Sequence, residues 1–141
     1  MPTPPPIAIR DIDHVVLRAT DMARMRAFYC EVLGCTVEKV QEGIGLVQLR
    51  AGRSLIDLVD IAGELGRKGG AAPGRDGHNM DHMCLRLEPF DADAIARHLQ
   101  AHGIAPGEVV SRYGAEGDGP SMYIADPQGN TVELKGPPYG T

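Results

Sequence analysis

A chain of 141 residues, 43% of them hydrophobic and 23% charged, is long enough for one compact core without disulfide or metal staples. Its formal charge of −5 opposes phosphate backbones and anionic lipid, and aromatic residues at only 4% leave little for nucleobase stacking, so neither nucleic acid nor a membrane is expected as a partner. Cys30, Cys35 and Cys84 form neither an even disulfide set nor a C-x-x-C pair, which points to a reducing, cytoplasmic setting.

Residues 1–8 are proline-rich and have no basic segment leading into a long apolar run, so they read as a flexible tail and not as a secretory leader. A single domain is expected over 9–137. Its first strand falls in Ile12-Asp13-His14-Val15-Val16-Leu17-Arg18. Asp21 then caps a helix whose apolar positions Met22, Met25, Tyr29, Val32 and Leu33 recur three or four residues apart, and Gly34 stops it. Strand-like runs follow at 35–40, 45–49 and 54–61, the last carrying Asp57 inside Leu55-Ile56-Asp57-Leu58-Val59. The Gly-rich stretch 62–79, with Arg67, Lys68 and Arg75, exceeds an ordinary connection and reads as a mobile lid or a linker.

The second half repeats this order. Met80-Asp81-His82-Met83-Cys84-Leu85-Arg86 opens it, Asp91 caps a helix through Ile95 and Leu99 to Gly103, and strands are expected at 108–113, 121–125 and 131–135. A Gly-rich loop at 114–120 is expected before the last two strands, which end on Thr131-Val132-Glu133-Leu134-Lys135. The Asp-His pair, the Leu and the Arg of the opening strand thus recur in identical places, and each half closes on a carboxylate within an apolar run. An internal duplication sets the architecture: two β-α-β-β-β modules, about 9–61 and 80–137, in an α+β fold built on a curved mixed sheet.

Alternation along the strands places His14, Asp57, His82 and Glu133 on the faces opposite the apolar residues. A sheet curved so that these faces converge would gather two imidazoles and two carboxylates. That donor set suits one divalent ion, Zn, Ni, Co, Mn or Fe, better than calcium or a structural thiolate site. His78, His98 and His102 stand outside the pattern and read as surface residues, while Cys84 is expected to face the cleft.

Nearly the whole chain, from about residue 9 to 137, resembles the vicinal oxygen chelate superfamily of glyoxalases, bleomycin-resistance proteins and extradiol dioxygenases. The resemblance rests on Asp13-His14-Val15, Phe28-Tyr29-Cys30-Glu31-Val32-Leu33-Gly34, Asp81-His82 and Asp126-Pro127-Gln128-Gly129-Asn130-Thr131-Val132-Glu133-Leu134. It implies paired βαβββ modules around a metal, usually in a homodimer, with modules meeting within a chain or across two. His14, His82 and Glu133 match the recurrent ligand positions. Asp57 stands where glyoxalase-like relatives carry Glu or Gln, one methylene longer. Tyr123 stands where ring-cleaving relatives carry a tyrosine.

The implied activity is that of a lyase or isomerase of the glyoxalase I type, acting on a small molecule that chelates the metal through vicinal oxygens, with Glu133 or Asp57 as base. Two alternatives are an extradiol-type dioxygenase assisted by Tyr123 and a non-catalytic drug-sequestering protein. Fold analogy alone does not choose among them.

Overall fold

The computed structural model describes residues 3–140, so residues 1 and 2 of the expected tail lie outside it; residues 3–13 are exposed and carry no helix or strand. The first module comprises β1 (His14–Ala19), α1 (Met22–Ala27), β2 (Thr36–Gln41), β3 (Leu46–Ala51) and β4 (Ser54–Asp60). The second repeats it with β5 (His82–Arg86), α2 (Ala92–Ala101), β6 (Val110–Gly114), β7 (Gly117–Ala125) and β8 (Thr131–Lys135). Each module folds its strands into a four-stranded mixed sheet, in the orders β1-β4-β3-β2 and β5-β8-β7-β6. In both, the opening strand lies parallel to the closing strand and the rest are antiparallel. The duplication in the sequence is therefore a duplication of topology, in two sheets.

Asp21 and Asp91 accept the backbone N–H of Arg24 and Ala94, which fixes the starts of the two helices. The first helix departs from the regular one expected through Val32. Phe28–Val32 forms a π-helical turn, with the Leu33 N–H reaching back five residues to the Phe28 carbonyl. The wider turn buries Phe28 and Tyr29 side by side, their rings edge-to-face at 5.1 Å. The loop expected at 114–120 is instead a tight hairpin, since β6 and β7 stay paired down to Gly114 opposite Gly117.

The apolar strand faces form one core that runs through both modules, from Leu17, Leu49, Ile56 and Leu58 to Met122, Ile124, Val132 and Leu134. A polar seam also joins them. The Tyr29 hydroxyl donates to Asp126 at 2.7 Å, and Asp126 also accepts the backbone N–H groups of Gln128 and Asn130 and the Asn130 side-chain amide. Burial and the Asp126 carboxylate push the Tyr29 phenol far above its ordinary range, which keeps it a donor. Asp126 through Asn130 is thus a turn folded around its own carboxylate, with Gly129 supplying the positive φ of 86°.

The stretch 62–79 is fastened at several points. Arg18 donates to the carbonyls of Gly66, Gly70 and Ala71, and any side chain at Gly69 would collide with its guanidinium. Asn79 bonds both the Arg18 backbone and Asn130, and Gln128 reaches the Pro73 carbonyl. Among the described residues, no helix is long and apolar enough to cross a membrane.

Candidate metal centre

The two central strands, β4 and β8, carry the carboxylates, and the two edge strands beside them carry the imidazoles. In the second module Cys84 lies opposite Glu133, so His82, two residues back on the same face, meets Glu133 diagonally. His82 Nε2 lies 3.3 Å from Glu133 Oε1. In the first module Val16 lies opposite Asp57, which puts His14 in the equivalent diagonal place. Here the shorter side chain matters: His14 has Asp13 as its ion-pair partner, at 2.7 Å, and Asp57 acts on it only through its field.

Each histidine is oriented by the aspartate before it. Asp13 and Asp81 engage Nδ1 of His14 and His82 at 2.7 and 2.6 Å, so that Nε2 of each ring lies outside this contact, that of His82 beside Glu133. A carboxylate on one ring nitrogen is how metal-ligating imidazoles are commonly held. The Asp13 hydrogen bond, followed by the field of Asp57, raises the His14 pKa above its ordinary value.

The carboxylates are buried, Asp57 at 4% exposure and Glu133 at 5%. Glu133 Oε2 accepts from the Ser121 hydroxyl at 2.8 Å, which leaves Oε1 for a ligand role beside His82. Asp57 Oδ2 accepts a 3.3 Å hydrogen bond from Gln48, while Oδ1 is buried with no hydrogen-bond partner. An orphaned carboxylate oxygen in such a place is costly unless a cation or proton donor reaches it. The chemistry of the donors therefore fits a divalent ion. Their grouping within one chain does not complete a site, because no group of three or more His, Cys, Asp and Glu side chains close enough to hold a metal exists among the described residues. His82 and Glu133 come together on one sheet, and His14 stands with Asp57 on the other.

Tyr123, opposite Glu133 on β7, packs its ring edge-to-face on His82 at 5.5 Å and is 37% exposed. Arg112 lies over the Tyr123 ring, its guanidinium carbon 3.9 Å from the ring centre, and donates to Ser121 Oγ at 2.9 Å. Cys84 does lie on this face; partial burial and the adjacent Glu133 push its thiol up to about 11, so it is protonated at neutral pH. His98 is exposed as expected but also contacts the Val32 carbonyl at 2.8 Å, tying α2 to the π-helical turn.

Gln48, Ser121 and Arg112 are site residues that the sequence reading passed over. Gln48 and Ser121 were signalled only as polar residues on strands, since their partners depend on cross-strand register.

Comparison with known proteins accords with this fold. A family model described as the Glyoxalase/Bleomycin resistance protein/Dioxygenase superfamily matches residues 11–134. The glyoxalase domain-containing protein RDO1 of Mycosarcoma maydis is 36% identical over 129 residues, covering 91% of this chain and 69% of that protein. Virulence protein STM3117 of Salmonella typhimurium is 34% identical over 125 residues, covering 87% and 81%. The crystal structure of STM3117 superposes with a TM-score of 0.75 at 28% identity, covering 92% of this chain and 98% of that one. Lactoylglutathione lyase from Agrobacterium tumefaciens shares the fold, with a TM-score of 0.64 at 24% identity over 99% of this chain and 100% of that one. On the match across nearly its whole length, the chain belongs to the Glyoxalase/Bleomycin resistance protein/Dioxygenase superfamily.

Proposed function

We propose that the protein is a divalent-metal-dependent lyase or isomerase of the glyoxalase type, whose metal centre is completed across a homodimer by His14 and Asp57 of one chain and His82 and Glu133 of its partner. The observation that carries this reading is the matched pair of half-sites. Each sheet presents one aspartate-held imidazole and one buried carboxylate at the same diagonal register, and neither holds three donors alone. A C₂ pairing that sets the first sheet of one chain against the second sheet of the other makes two equivalent sites, each with His14, His82 and Glu133 as donors and Asp57 beside them. It also covers the apolar residues exposed on these strands, Val16 and Tyr123 among them.

A bound divalent ion would supply Lewis acidity to two neighbouring substrate oxygens. The protein's own residues divide the remaining work. His14, His82 and Glu133 hold the ion, with Asp13, Asp81 and Ser121 fixing their orientation. Asp57, a methylene short of its counterpart, stands back from direct ligation and would take the substrate proton, while Gln48 holds Oδ2.

A second reading draws on Tyr123. Its exposed phenol next to His82 is placed to assist an extradiol-type dioxygenase, with two histidines and Glu133 as the ligands and Asp57 outside the set. Turnover of hemithioacetals and of catechols by metal-loaded protein, each with and without oxygen, separates the two. Oxygen-independent turnover of hemithioacetals is expected; oxygen-dependent ring opening of catechols would replace the lyase reading with the second one.

A further inference from the structure

Three cations share the site face of the second sheet, and they differ in how their charge is met. Arg86 is neutralised by Glu116 at 2.7 Å and Glu88 at 3.4 Å. Lys135 is buried and directs its ammonium to the Gly117 carbonyl at 2.9 Å, at the far end of the hairpin. Arg112 is half-buried, and no acidic side chain pairs with it among the described residues. Of its guanidinium N–H groups, one Nη1 donor is engaged, by Ser121.

Its position is set closely. Tyr123 lies 3.9 Å from the guanidinium carbon and Ser121 holds one Nη1 donor, which leaves the remaining N–H groups for another partner. Ser121 joins it to Glu133, which places Arg112 one side chain away from a candidate metal ligand. The negative charge of Glu133 is committed to the metal in the reading above, and Arg112 reaches it only through Ser121. A half-buried guanidinium without its own counter-charge is costly, and the cost is removed when an anion docks.

We propose that Arg112 is the anchor for a substrate carboxylate, and hence that the substrate class is a small acid carrying a carboxylate beyond the vicinal oxygens that chelate the metal. A carboxylate is planar and matches the exposed edge of a guanidinium with two parallel N–H···O bonds, which a stacked Arg is pre-organised to give. Tyr123 and Ser121 then act as positioning residues for Arg112. The inference rests on the metal-chelate reading of the same site.

The test uses the metal-loaded protein and a matched probe pair: 3,4-dihydroxybenzoate, which joins vicinal oxygens to a remote carboxylate, and its methyl ester, which keeps the oxygens and removes the charge. Calorimetry on the wild type is expected to show the acid bound roughly tenfold or more tightly than the ester. Arg112→Met and Arg112→Gln are expected to erase that preference with metal content unchanged; the Gln variant retains a donor toward Ser121 and guards against a collapse of the Glu133 network. Equal binding of both probes by the wild type, or a preference that survives in either variant, would overturn the carboxylate anchor and leave the metal-chelate reading standing. Failure of the metal-loaded wild type to bind either probe would remove the chelate reading, and the anchor with it.

Discussion

His82 Nε2 and Glu133 Oε1 lie 3.3 Å apart across β5 and β8, whereas His14, held by Asp13 at 2.7 Å as His82 is held by Asp81, makes no such ion pair with Asp57 on the equivalent pair of strands. Both sheets have the same register, so the difference follows from side-chain length: Glu spans the diagonal and Asp does not. This asymmetry divides the roles proposed above, with Glu133 as a ligand and Asp57 as a base.

Removing a donor should therefore have graded effects on metal. His14→Ala, His82→Ala and Glu133→Ala should each cut bound divalent ion severely, as elemental analysis of purified protein would read, while His98→Ala on the α2 surface should leave it unchanged. Asp81→Asn, which loosens the ring orientation but keeps the nitrogen, should weaken affinity about 10–100-fold. Full metal occupancy in any of the three alanine variants would take that residue out of the site.

Asp57 is expected to behave differently from Glu133. Asp57→Asn should lower turnover more than metal affinity, because the amide keeps the hydrogen bond with Gln48 but loses the basicity that accepts a proton. Asp57→Glu should instead tighten metal binding by restoring the missing reach. Metal dissociation constants and turnover for the two variants decide this; loss of metal in Asp57→Asn as complete as in Glu133→Ala would make Asp57 a direct ligand.

The Tyr29–Asp126 hydrogen bond is the buried link between modules. Tyr29→Phe keeps the ring packed against Phe28 but deprives Asp126 of a donor, so unfolding stability should fall by about 1–3 kcal/mol in a urea or guanidinium titration. A change within experimental error would mean that the apolar core alone holds the modules together.

Much of this was legible in the sequence because it lies along the chain. The recurrence of Asp13-His14 as Asp81-His82, the caps Asp21 and Asp91, and the alternation around Asp57 and Glu133 are local patterns, and the strands and helices form where those patterns place them. Features that depend on partners distant in sequence were not legible. Ser121 is an ordinary strand serine until the β7–β8 register sets it within reach of Glu133, and Arg112 is an ordinary surface arginine until β6 lays it over Tyr123. The π-helical turn was likewise not legible: it carries Tyr29, whose hydroxyl bonds Asp126 of the other module. The separation of His14 from His82 within one chain is a matter of how two sheets are set, which strand patterns do not encode.

The 62–79 stretch shows a related contrast. Its glycines suggest a mobile lid or a linker, and Arg18 gathers three of its carbonyls. Arg18→Ala should release it: hydrogen exchange in 66–71 should quicken markedly while the β4 and β8 amides stay protected. Unchanged exchange there would show that Asn79 and Gln128 hold the stretch without Arg18.

The cross-chain centre is tested most directly by complementation. One chain carries His14→Ala, and a second carries His82→Ala with Glu133→Ala. In a heterodimer of the two, the first sheet of the second chain and the second sheet of the first are both intact, so one whole site is restored. Each variant alone is expected to bind little metal, and the purified heterodimer is expected to bind one ion per dimer. A heterodimer that stays empty, or a wild-type protein that binds its ion as a monomer, would contradict the account.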